Sequence, residues 1–231
     1  MDDSVVTPGP TPVLDGIRVV ELAMFAFAPA CTAVLADWGA EVVKVGHPGF
    51  ADPMRGIPVA GLAPRADDVS FTWEQLNRNK RSIAIDVATP EGREVLLDLV
   101  RDADVFVTNL LPDSRRRLGI DVDDLRAVAP NLVYVRASGT GPRGAEAGDP
   151  AFDHTAFWCR TGMGHAASLT ADEFQPLFSP AMGDLTSGLA LAGGVAAALF
   201  KRERTGEPSV VDGSLLATGM WVVSPGIVAT Q

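Results

Sequence analysis

Ile17-Arg18-Val19-Val20-Glu21-Leu22, then Pro29 to Trp38, Gly39, and Glu41-Val42-Val43-Lys44-Val45: the reading of this run decides the fold. The first six residues form a short apolar run with the character of a buried strand. Pro29 opens a helix that continues to Trp38, Gly39 stops it, and Glu41–Val45 is a second strand. Strand, helix and strand in this order make a βαβ unit, whose strands are parallel. The alternation recurs downstream. Arg81-Ser82-Ile83-Ala84-Ile85-Asp86 is a strand. Thr89-Pro90-Glu91-Gly92 starts a helix with a capping hydroxyl, proline at the first position and an acid in the first turn. Leu96, Leu97, Leu99 and Val100 supply its apolar face. Asp104 to Asn109 is the next strand, Asp121 caps a short helix that ends before Pro130, and Leu132 to Ala137 is another strand. The expected class is therefore α/β, a Rossmann-like parallel sheet with helices on both faces. Such sheets bind ligands at the carboxyl ends of their strands. Here those ends carry Ala23–Ala28, Gly46–Phe50, Asn109–Pro112 and Ser138–Pro142.

Composition narrows the partners. The chain has 231 residues, 47% apolar and 21% charged, as expected of a globular protein with a sizeable core. A formal charge of −10 argues against nucleic acid and anionic membrane surfaces, which select basic patches. Cys31 and Cys159 show no C-x-x-C spacing and no matching histidine cluster, so reduced thiols in the cytoplasm are expected, with no metal site. The acidic, Pro-rich residues 1–13 read as a disordered tail without an export signal. The apolar helix Leu185–Phe200 falls short of the roughly 20 residues needed to span a bilayer and reads as a core helix. The Pro-, Gly- and Asp-rich stretch from Gly46 to Asp68 reads as an extended loop, long enough to do more than connect.

The common cofactor signatures are missing. The turn after the first strand, Ala23-Met24-Phe25-Ala26-Phe27-Ala28, lacks the glycines of a dinucleotide fingerprint. Neither a P-loop nor a G-x-S-x-G elbow occurs. His47, His154 and His165 are not spaced for a metal. Arg115-Arg116-Arg117 is either a solvated helix face or a phosphate-neutralising cluster, while Phe152, Phe157 and Trp158 read as core. Asp184, in Ser179-Pro180-Ala181-Met182-Gly183-Asp184, follows a Pro/Gly turn directly before the apolar helix. It is either an N-cap or a reactive carboxylate.

Fragments along 14–221 resemble the class III CoA-transferase (CaiB/BaiF) family, which includes formyl-CoA transferase and acyl-CoA racemases. They are Leu14-Asp15-Gly16-Ile17-Arg18-Val19, Pro29-Ala30-Cys31-Thr32, Gly39-Ala40-Glu41-Val42-Val43-Lys44-Val45, Arg55-Gly56 and Asn79-Lys80-Arg81-Ser82-Ile83. Thr89-Pro90-Glu91-Gly92, Ala103-Asp104-Val105, Arg117-Leu118-Gly119, Gly183-Asp184 and Arg204-Thr205-Gly206 complete the set. The resemblance implies transfer of CoA from an acyl-CoA thioester to a carboxylic acid, with Asp184 carrying the acyl group and then CoA, and no tightly bound cofactor. On physical grounds the positive helix end is expected to keep Asp184 ionised, with amides near Gly162 and Gly164 as candidate oxyanion donors. CoA contacts are implied at Phe25, Ala26, Phe27, His47, Ile85, Ala88, Asn109, Leu110, Arg117 and Phe152. Gly46, His47, Ala26 and Ala88 depart from the commoner family residues, so polar contacts there stay open.

The racemase branch places a histidine where Phe152 stands, which favours transfer. The run Phe152–Phe157 looks like the branch that acts on aryl or bulky 2-hydroxy acids. Family chains are longer, so residues 14–231 correspond to the N-terminal part of the large domain, with the small C-terminal domain absent. A homodimer, or a heteromer with a chain supplying the remainder, is expected. A racemase, or a non-catalytic CoA-binding subunit needing a partner, are the rival functions.

Overall fold

A computed structural model describes residues 11–56, 70–168 and 181–230. The elements run β1 (Arg18–Leu22), α1 (Phe27–Asp37), β2 (Glu41–Gly46), α2 (Phe71–Asn77), β3 (Lys80–Ala84), α3 (Pro90–Arg101), β4 (Val105–Thr108) and α4 (Pro112–Leu118). They continue with α5 (Val122–Arg126), β5 (Val133–Ser138), α6 (Met163–Ser168), α7 (Met182–Thr205), β6 (Val210–Ser214) and α8 (Leu215–Ala229). A 3-10 turn covers Pro53–Arg55, and a π-helical turn covers Asp153–Cys159. The six strands are all parallel, in the order β3-β2-β1-β4-β5-β6. This is the doubly wound arrangement that the βαβ alternation requires.

Successive strand residues feed opposite faces. Val19, Val105, Val107, Val133 and Val135 join α1 and α7 in one core cluster. Val20, Phe106 and Tyr134 join Leu96 and Val100 of α3 and Leu125 of α5 in the other. Helix α7 has 24 residues, extending past both ends of the sixteen expected. By length and composition it could cross a membrane. Its stripe of Gly188, Leu191, Ala192, Val195 and Leu199 is nevertheless buried within the fold. The crossing with α1 is tight: a Cβ at Gly188 would lie 2.6 Å from the Ala30 Cβ and 2.9 Å from the Cys31 nitrogen.

Several short elements differ from the reading of the sequence. Helix α1 starts at Phe27, two residues before Pro29, and β3 is Lys80–Ala84, so Ile85 and Asp86 lie just beyond it. The expected long loop contains the Pro53–Arg55 turn, with residues 57–68 outside the described part, and α2 follows it. Residues 1–10 of the expected tail also lie outside the described residues. Pro12 packs at Gly39, where a Cβ would meet its Cβ at 2.2 Å.

A charge cluster sits inside the sheet. Strand register sets Glu21 beside Lys44, and the Glu21 side chain is 0% exposed. Lys44 Nζ donates to Glu21 Oε1 at 2.6 Å, and Lys80 Nζ donates to Oε2 at 2.8 Å. Thr32 Oγ1 also donates to Glu21 Oε2. Burial alone would raise the Glu21 carboxyl, but the Lys80 and Lys44 ammonium groups outweigh it and hold it below the ordinary value of 4.5. Its stabilisation is therefore present above that ordinary value and is lost as pH falls through the lower folded value. Glu21→Ala leaves two buried ammonium groups without their shared carboxylate. We expect it to cost about 3–5 kcal/mol in urea unfolding at neutral pH; an unchanged midpoint would contradict the assignment.

Candidate active site

The strand order reverses between β1 and β4, so the chains leaving their carboxyl ends diverge and open a crevice. The Asn109 amide ties the two exits together: Met24 N–H donates to Oδ1 at 3.1 Å, and Nδ2 donates to the Met24 carbonyl at 2.6 Å. Two hollows flank this tie, of about 340 and 440 Å³, sharing Met24, Leu110 and Ser114 in their walls. The smaller holds Phe25, Phe27, Asn109, Phe152 and Asp184. The larger holds His47, Ile85, Ala88 and Arg117, with Lys44, Asp52, Arg55 and Trp73. The implied CoA contacts thus divide into two adjoining sets.

Asp184 is neither before its helix nor the N-cap. It is the third residue of α7, whose cap position is Ala181, left-handed at φ 57° and without a side-chain hydrogen bond. Residues 179 and 180 of the expected Pro/Gly turn lie outside the described part. The helix is capped from elsewhere in the fold. Asp153, at the start of the π-helical turn, accepts the Asp184 backbone N–H on Oδ1 at 3.0 Å. This approach requires glycine at 183, because a Cβ there would lie 2.1 Å from Asp153 Oδ1 and 2.3 Å from Phe157 Cγ. Asp153 is 4% exposed, and among the described residues its Oδ2 has no hydrogen-bond partner.

The two carboxylates set the electrostatics. Burial, then the Asp153 charge, push the half-buried Asp184 carboxyl from 3.8 up to about 7. The helix end therefore does not keep Asp184 fully ionised, as the sequence had implied. Burial also raises the Asp153 carboxyl, against hydrogen bonds from the Asp184 and Gly183 backbone and the nearby His154. A side chain that is partly charged at neutral pH, on the wall of an open crevice, suits nucleophilic or acid–base work.

Phe152 is 57% exposed and packs edge-on against Phe25, with ring centroids 5.3 Å apart. This corrects the core reading for Phe152, whereas Phe157 and Trp158 are buried. Ala26 lines neither hollow and is buried with Ala30, Met54 and Leu76. The arginine cluster separates into three roles. Arg115 is buried and bonded to Asp121 and the Leu110 carbonyl, Arg116 pairs with Asp113, and Arg117 lines the larger hollow. His47 Nε2 lies 3.6 Å from Asp86 Oδ1, and its ring stacks on Phe50. Gly162 and Gly164 line neither hollow, and the Gly162 N–H donates to the Cys159 carbonyl at 3.1 Å. Among the described residues no group of three His, Cys, Asp or Glu is placed to hold a metal. The sequence reading missed Asp153 as a partner of Asp184, and Lys44, Asp52, Arg55 and Trp73 as walls. For Lys44 the available signal was a base embedded in the apolar run Val42-Val43-Lys44-Val45.

Comparison with known proteins gives the family. Residues 14–230 match the model of CoA-transferase family III, and the chain belongs to that family. It is 36% identical over 95% of its length to (R)-2-hydroxy-4-methylpentanoate CoA-transferase of Clostridioides difficile, covering 54% of that protein. It is 32% identical over 96% of its length to cinnamoyl-CoA:phenyllactate CoA-transferase of Clostridium sporogenes, covering 53% of it. A CaiB/BaiF family protein from Brucella suis superposes with a TM-score of 0.82 at 32% identity, covering 95% of this chain and 57% of that one. The chain thus spans about half the length of the curated relatives it matches.

Carboxyl carbon NMR should show Asp184 titrating near pH 7, with Asp153→Asn moving the midpoint to lower pH. A wild-type midpoint at the ordinary 3.8 would contradict the description.

Proposed function

We propose that this protein transfers CoA from an acyl-CoA thioester to a carboxylic acid, with Asp184 as the covalent carrier. The single observation that carries the reading is the placement of Asp184. Its carboxyl stands on the wall of the crevice at the sheet's switch point, beside a second buried carboxylate that raises its basicity. Acylation removes the Asp184 charge, and with it the repulsion from Asp153 and the cost of burying an ion.

An Asp184 oxygen attacks the thioester carbonyl carbon, and the carbon–sulfur bond breaks to give a mixed anhydride and CoA thiolate. The thiolate attacks the Asp184 carboxyl carbon, releasing the donor acid and leaving an aspartyl thioester. The acceptor carboxylate displaces the thiolate to form a second anhydride. The thiolate then attacks the acceptor's acyl carbon, freeing Asp184 and the new thioester. No oxidant or metal is consumed.

The larger hollow takes the nucleotide end of CoA, with Arg117 on its phosphates and the shared Met24–Leu110 wall leading the thiol arm to Asp184. The smaller hollow, walled by Phe25, Phe27, Leu111, Phe152 and Leu215, suits an acid with a bulky apolar group. Two relatives named for 2-hydroxy-4-methylpentanoate and phenyllactate support that choice. Racemisation would need a second base, and among the described residues no histidine lines the hollow of Asp184. We assign residues 14–231 to the N-terminal part of the large domain, working in a cytoplasmic dimer.

Incubation with acyl-CoA followed by hydroxylamine should convert Asp184 to its hydroxamate, seen by peptide mass spectrometry. Asp184→Ala should give no adduct, and an unmodified wild-type Asp184 would overturn the reading. Arg117→Ala should weaken CoA binding about 10- to 150-fold by calorimetry, the loss of one charge-assisted contact of about 1.5–3 kcal/mol; unchanged affinity would remove Arg117 from the site.

A further inference from the structure

We propose that Asp52 and Lys44 are positioning residues that hold Phe25 in place and thereby set which acyl groups the hollow around Asp184 accepts. The inference rests on the transferase reading of that hollow. Phe25 is an aromatic residue in the left-handed region, at φ 64°, a conformation that side chains other than glycine adopt at a cost and only when their surroundings impose it. The surroundings are a set of side chains that grip three consecutive backbone units.

The Ala23 carbonyl accepts from Lys44 Nζ at 2.9 Å. Met24 is bonded through both its N–H and its carbonyl to Asn109. The Phe25 N–H donates to Asp52 Oδ1 at 3.2 Å. Asp52 is held in turn: Oδ1 also receives the Met54 N–H at 3.0 Å, and Oδ2 faces Lys44 Nζ at 3.3 Å. Both side chains are nearly dry, 6% exposed for Asp52 and 5% for Lys44.

Lys44 and Asp52 thus stand under the larger hollow, while the residue they fix projects its ring into the smaller one, against Phe152. Among the described residues, Asp52 Oδ2 has no hydrogen-bond donor and meets only the Lys44 charge. The ion pair therefore orients the carboxylate so that Oδ1 is free to take the Phe25 and Met54 amides. Without it, the strained peptide relaxes and the Phe25–Phe152 corner opens. A pocket that has lost one wall loses discrimination among acyl groups more than it loses affinity for the CoA common to them all.

The test separates this inference from the chemistry by working in an Asp184→Ala background. Dissociation constants are measured by calorimetry for free CoA, acetyl-CoA and 3-phenylpropanoyl-CoA. Without further substitution, the phenylpropanoyl thioester should bind the more tightly of the two. Adding Asp52→Ala should erase that preference by about tenfold, read as the ratio of the two thioester affinities, in which any change in binding of their common CoA part cancels. Adding Asp52→Asn, which keeps an oxygen acceptor for the two amides, should retain part of the preference. Phe25→Gly should match Asp52→Ala, and the two together should cost no more than either, because they act on one element.

If Asp52→Ala does not fold, the Asp52→Asn and Phe25→Gly proteins carry the comparison. A crystal structure of Asp52→Asn should then show partial release of the Phe25 ring from Phe152. An unchanged ratio of the two thioester affinities, or additive effects of Asp52 and Phe25 substitutions, would overturn the proposal even if Asp184 forms its adduct. A missing adduct in the wild-type protein would overturn the transferase reading and leave these affinity ratios to decide the inference.

Discussion

A hydrogen bond between two acids' residues organises this site: the Asp184 backbone N–H donates to Asp153 Oδ1 at 3.0 Å. Helix α7 begins at a left-handed alanine with no side chain to cap it. Four amides at a helix start need acceptors. Asp153, 31 residues earlier in the chain, supplies one from the π-helical turn. That contact fixes the start of α7 and brings a second negative charge beside the Asp184 side chain. The Asp153 contact thus orders the backbone and adds to the burial that pushes the Asp184 carboxyl up to about 7. Gly183 follows from the same constraint, since any Cβ would occupy the space of the Asp153 oxygen.

The other side of the crevice follows a comparable logic. Glu21 and Lys44 meet across β1 and β2, Lys80 closes the group from the start of β3, and Asp52 approaches from the long connection after β2. Two acids and two bases cancel, so the cluster can lie inside an apolar sheet without a net buried charge. Its outer members reach the loop that leaves β1. A neutral ion cluster therefore links sheet interior to pocket wall, and Asn109 performs the same service from β4. Where the strand ends diverge, the side chains of Lys44, Asp52 and Asn109 hold the backbone of residues 23–25 by hydrogen bonds.

Much of the sheet was legible in the sequence because parallel strands buried on both faces leave continuous apolar runs, as in Val19-Val20 and Val42-Val43. Caps at Thr89 and Asp121 were legible because they act within one turn; Thr89 accepts the Gly92 N–H, and Asp121 and Asp124 form a capping box. Helices α2 and α4 have seven residues each, too few to show a period. The start of α7 was misplaced by three residues, since Gly183 and a left-handed Ala181 read locally as a turn. Asp184 stood out as a lone acid at an apolar helix, but its pKa depends on Asp153, which no local pattern connects to it. Phe152 was read as core because aromatic residues usually are; its exposure comes from facing an open crevice. Asp184 and most of the contacts that the resemblance implies lie on the walls of the two hollows, whereas Ala26 is buried with Ala30, Met54 and Leu76.

Oxygen tracing tests the central claim most directly. With an acceptor acid labelled with oxygen-18 in its carboxylate, each turnover through an aspartyl anhydride leaves one labelled oxygen on Asp184. Mass spectrometry of the peptide containing Asp184 should therefore show label accumulating as product forms. Formation of the new thioester with that peptide unlabelled would contradict the account.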